Sequence, residues 1–89
     1  EIHYIEGLID YLKIFLINEK KPVLSLITLK VIYAKLPAEK FMRVHRSFIV
    51  NLETVKVIER NRIVFGDVYI PVTDQYKEEF QKFLDRNFI

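Results

Sequence analysis

His45, Arg46 and Ser47 stand side by side inside the stretch FMRVHRSFIVN, residues 41–51. Two kinds of chemistry could use them. A serine near a histidine could be a nucleophile with its base, and an arginine could bind an anion or pair with both O6 and N7 of a guanine. The first option fails on spacing. On a continuous strand, residues two apart share a face with Cα atoms roughly 6–7 Å apart, given a rise of about 3.3 Å per residue. That is a poor geometry for a direct Ser–His hydrogen bond, and no acid lies nearby to orient the histidine. The other histidine, His3, is remote in sequence, and the chain has no cysteine, so no metal site is expected. Neither a glycine-rich phosphate loop nor an HExxH pattern occurs. Glu78 and Glu79 are neighbours on a helical stretch and point apart. The chain reads as non-catalytic, without metal or cofactor.

Recognition of a polyanion fits the residues better. The net charge is only +2, but it is unevenly placed. Lys30, Lys35, Lys40, Arg43 and Arg46 face a single acid, Glu39, across residues 30–51, and Lys56, Arg60 and Arg62 follow. Nucleic-acid binding needs cations for phosphates and a few polar groups for base edges. Arg46 is the most specific base reader. Ser47, Asn51, Thr73 and Gln75 suit phosphate or base contacts, and Lys13, Arg43 and Lys77 could hold the backbone. An ordinary solvated surface explains the same residues: Arg46 paired with Glu53, Asn51 as a turn former, Thr73 as a helix cap. Taken alone, the residues leave both readings open.

The elements that must carry these groups are short. Ile2–Glu6 reads as a strand ended by Gly7, Asp10–Ile17 as a second, and Pro22–Leu26 as its antiparallel return. Leu29, Ile32, Tyr33 and Leu36 fall on one helical face, with Ser25 or Thr28 as cap and Pro37 as stop. Phe41–Val44 and Phe48–Val50 are strands on either side of a His45-Arg46-Ser47 turn. Val55–Glu59, Arg62–Phe65 and Val68–Ile70 form a meander through turns at Arg60-Asn61 and Gly66-Asp67. Thr73 opens a last helix with Tyr76, Phe80, Phe83 and Leu84 on one face. The fold class predicted is α+β, mainly β: stacked antiparallel sheets with two short helices in one domain spanning 1–89.

Composition supports a packed domain. Of the 89 residues 51% are hydrophobic, including seven Phe and five Tyr, with two Gly and three Pro; a chain this small needs that density of apolar residues to be stable. The longest apolar run, Ile14–Ile17, is far too short to span a bilayer. The absence of cysteine is compatible with a reducing cytosol. The chain opens at Glu1 without methionine, which suggests an excised C-terminal fragment of a longer protein.

Four blocks, taken in order, resemble the LytTR-type DNA-binding domain, the output module of many bacterial response regulators. HYIEGLIDYLKI is similar to that family's opening segment, TLKVIYAKLP to its first helix and stop, FMRVHRSFIVNLETV to its most diagnostic block, and IPVTDQYKEEFQKFL to its closing strand and helix. The resemblance implies loops inserted into successive major grooves of double-stranded DNA at direct repeats. It also implies a cytoplasmic transcription regulator that pairs as a homodimer on DNA; the basic loops and the lack of an apolar heptad point to a monomer as an isolated domain. The contacts it implies are Asp10, Tyr11 and Lys13; His45, Arg46 and Ser47, with Asn51 nearby; and Thr73, Asp74, Gln75 and Lys77. Two positions depart from the pattern. Ile9 stands where a polar or basic residue is common, and Asp74 where some members carry a base, so Asp74 is read as serving the helix N-terminus. A non-catalytic protein-interaction module of β-rich fold is the alternative use of the same polar loops.

Overall fold

A computed structural model describes residues 1–88. Eleven short elements follow one another: β1 (Ile2–Gly7), β2 (Leu12–Leu16), β3 (Val23–Ser25), α1 (Leu29–Lys35), β4 (Phe41–His45), β5 (Phe48–Asn51), a 3-10 turn (Leu52–Thr54), β6 (Val57–Glu59), β7 (Arg62–Phe65), β8 (Val68–Pro71) and α2 (Asp74–Asn87). They build two antiparallel sheets, one of five strands in the order β3-β2-β1-β5-β4 and one of three in the order β6-β7-β8.

The five-stranded sheet is a middle layer because its alternate residues are apolar on both faces. Tyr4 pairs with Val50 and points to one side; Ile5 pairs with Ile49 and points to the other. On the first side Tyr4, Val44 and Val50 pack with Ile63, Phe65 and Ile70 of the small sheet and with Phe80 of α2. Tyr4 stacks between Phe15 and Phe65, with ring centroids 4.4 and 5.5 Å away. On the other side Ile5, Leu12, Phe41 and Ile49 receive Ile32 of α1, flanked by Leu29, Tyr33 and Leu36. Period-two alternation in the strands and a 3.6 period in the helices therefore meet in two cores sharing one sheet. Burial lowers the His3 pKa from its ordinary 6.5 and raises that of Tyr4, to which the charge of Glu6 adds.

Local signals account for the ends of elements. The Thr28 hydroxyl accepts from Val31 N–H at 3.2 Å and caps α1, and Leu36 before Pro37 is extended (φ −90°, ψ 147°), as a residue preceding proline prefers. Arg60 and Asn61 both take positive φ, 51° and 66°, the geometry of a hairpin turn matched to strand twist. Several boundaries differ from expectation by one or two residues; His45, expected in the turn, is the last residue of β4, which leaves Arg46 and Ser47 as the turn. Three of the differences have a local cause. The second strand begins at Leu12, not Asp10, because Leu8 N–H donates to the Tyr11 carbonyl at 2.9 Å and closes a loop there. The sixth begins at Val57, because residues 52–54 wind into a 3-10 turn capped by Asn51. The first strand gains one residue, since Gly7 still pairs with Leu12.

Candidate nucleic-acid interface

The turn that carries Arg46 is held from three directions. In the β4–β5 hairpin Arg43 faces Ile49 and His45 faces Phe48, so Val44 is an extra, bulged residue. Neither Arg46 nor Ser47 takes a positive φ; a turn of that kind fits strand twist poorly, and the bulge takes up the mismatch. Arg43 Nη2 donates to the Arg46 carbonyl. Ser47 N–H donates to His45 Nδ1 at 3.0 Å, which places the ring proton on Nε2 as an outward donor. The Ser47 carbonyl accepts from Gly7 N–H at 2.7 Å, tying the turn to the end of β1. The Arg46 side chain, by contrast, is exposed and makes no hydrogen bond or ion pair among the described residues.

The turn forms one wall of an open cleft of about 900 Å³. Asp10, Tyr11, Arg43, His45, Arg46 and Ser47 all line it, so six of the eleven candidate residues come together although 35 residues separate the two loops. Gly7 leaves room for this approach: a Cβ there would lie 2.6 Å from Leu29 Cδ1, so the Leu29 side chain would have to shift. α1 therefore seats directly on the β1–β2 connection, bringing Lys30 to the same cleft. Lys30 was legible only as part of the basic zone; its place beside the turn depends on the helix packing.

The third segment reaches this end of the molecule by one backbone bond. The bulge frees the Val44 carbonyl, which accepts from Thr73 N–H at 3.0 Å, so α2 starts beside β4. Thr73 occupies the N-cap position, but its side chain makes no capping bond, unlike Thr28. Its hydroxyl is therefore not consumed by the helix. Gln75 is exposed on the first turn of α2, and Lys77 Nζ lies 2.9 Å from Asp74 Oδ1. Asp74 is 96% exposed and Lys77 46%, so the pair is a surface contact of small energy.

Three of the candidate residues have surroundings that the sequence does not announce. Asn51 is 6% exposed. Its Nδ2 donates to the Ile2 carbonyl at 2.8 Å and its Oδ1 accepts from Glu53 N–H at 2.9 Å, so its amide is held inside the fold by the backbone at both of its polar ends. Arg43 braces the turn, with its Nε buried and unpartnered; it is a positioning residue before it is a phosphate contact. Lys13 lies in β2 opposite Glu6 and does not line the cleft. The structure does not gather it with the turn. Among the described residues no group of three or more His, Asp or Glu is placed to hold a metal, and no helix is long and apolar enough to cross a membrane.

Known proteins are similar to this chain in sequence and in fold. The sensory transduction protein LytT of Bacillus subtilis (strain 168) is 44% identical over 63 residues, which is 64% of this chain and 26% of that protein; the chain thus spans a minor part of that relative. A solved LytTr DNA-binding domain from Bacillus cereus superposes with a TM-score of 0.75 at 25% identity, covering 93% of this chain and 80% of that one. A family model of the LytTr DNA-binding domain matches residues 1–85. That match takes in both sheets, the braced turn, the cleft and most of α2, and the chain belongs to the LytTr DNA-binding domain family.

Proposed function

We propose that this domain binds duplex DNA sequence-specifically as the cytoplasmic, non-catalytic output domain of a response regulator, pairing on direct repeats. Arg46 reads a base, and Arg43, Thr73, Gln75 and Lys77 hold the phosphate backbone. The observation that carries the reading is the contrast within the turn: its backbone is fixed by Arg43, His45 and Gly7, while the Arg46 guanidinium has no partner among the described residues. A preorganised arginine loses less conformational freedom on pairing with a guanine edge. A two-stranded hairpin also fits a major groove about 12 Å wide. The longest dimension of the domain is 37 Å, close to the roughly 34–36 Å of one DNA turn, so one copy covers about one turn and a second copy is needed for a longer site.

Selection of bound duplexes from a random pool at two salt concentrations tests this. An enriched motif repeated in the same orientation, with affinity falling steeply as salt rises, is the expected result. No enriched duplex, or a response flat in salt, would favour a protein partner instead. In the same assay Lys77→Ala is expected to weaken every duplex alike and to reduce the salt slope by about one. A change in which sequence is preferred would instead make Lys77 a base reader.

A further inference from the structure

The tip of the β1–β2 loop carries a residue that local structure does not call for. Leu8 N–H closes the loop on the Tyr11 carbonyl, leaving Ile9 and Asp10 alone at its end. Tight turns are usually made from Gly, Asn, Asp, Ser or Pro, and isoleucine, being β-branched, gains nothing there by propensity. Ile9 is nonetheless 99% exposed, so it contributes no packing to the fold either. It does not stand alone: Leu26, 86% exposed, lines the same cleft, and so do Arg46 and Lys30. An apolar tip beside cationic groups matches one feature of a DNA major groove, where the thymine C5-methyl projects among phosphates and acceptor edges.

Building on the DNA-binding reading above, we propose that Ile9 is a specificity-determining residue that reads a thymine by contact with its methyl group. The contact is apolar on both sides, needs no hydrogen-bond geometry, and is lost when the methyl is removed. Ile9 makes no contribution to the core, so truncating it leaves the turn and its base preference in place.

The test uses the preferred duplex obtained by selection, with each thymine replaced in turn by deoxyuridine, which differs only by the methyl. Wild-type protein is expected to lose about fourfold in affinity at one or two thymines, from the transfer free energy of one methyl-sized group. Ile9→Ala is expected to show a similar loss on the unmodified duplex and to be indifferent to deoxyuridine at those positions, with Arg46-dependent preference intact. Wild-type insensitivity to every deoxyuridine would overturn the inference while leaving DNA binding standing, as would an Ile9→Ala variant that keeps full sensitivity. Failure of the wild type to bind any duplex would overturn the underlying reading and this inference with it.

Discussion

Replacing Arg46 by alanine is expected to weaken binding to the preferred duplex by about 1–3 kcal/mol, roughly five- to 150-fold, and to relax the preference at one base pair. The size follows from a bidentate pairing with a guanine edge. The selectivity follows from the geometry of the turn, because Arg43 and Gly7 hold its backbone and neither interaction involves the Arg46 side chain. Stability should therefore stay within about 0.5 kcal/mol of wild type, as for an exposed substitution. Measuring affinity over a panel of single-base variants, alongside thermal unfolding, separates the two effects. An Arg46→Ala protein with unchanged affinity and unchanged preference would remove base reading from this turn. Arg43→Ala makes the useful contrast, since losing the brace frees the turn and should weaken binding without the signature of a single relaxed base pair.

The second large effect is on folding. Asn51→Ala is expected to destabilise the domain by about 2–4 kcal/mol, because it strands the Ile2 carbonyl and the Glu53 N–H that Asn51 now satisfies and removes a cap. A domain of this size has about 4–13 kcal/mol to lose, so the midpoint of thermal unfolding should fall by roughly 10–25 °C. Asn51→Asp keeps the acceptor toward Glu53 but sets a carboxylate against the Ile2 carbonyl, so it should recover only part of the loss. At a temperature where the variants remain folded, their base preference should match wild type. If Asn51→Ala unfolded like wild type yet bound DNA poorly, Asn51 would be a contact residue after all, and the internal bonds would count for little.

These two residues mark the limits of reading the chain in one dimension. Arg46 interrupts an alternating apolar row, Met42, Val44, Phe48, Val50, and a charged position in such a row signals a turn or a ligand. Asn51 follows that row as a polar residue at a strand end, which is equally the pattern of a turn former, a cap or a contact. Its internal bond forms only because Ile2, 49 residues away in sequence, arrives beside it when β1 pairs with β5. Thr73 illustrates the converse. Its type and place mark a cap, yet its hydroxyl makes no such bond, because the start of α2 is fixed instead by a backbone bond to a bulged β4.

By itself the sequence determined the strands, the two helices and the turn at Arg46, since these rest on period, caps and turn residues within a few positions of one another. It also carried the family, through four blocks in order. Only the tertiary structure decided which polar groups remain available to DNA. A side chain's hydrogen-bonding capacity is spent on whatever partner folding brings within about 3 Å. For Asn51 that partner is the backbone of β1, for Arg43 it is the turn itself, and for Arg46 there is none among the described residues.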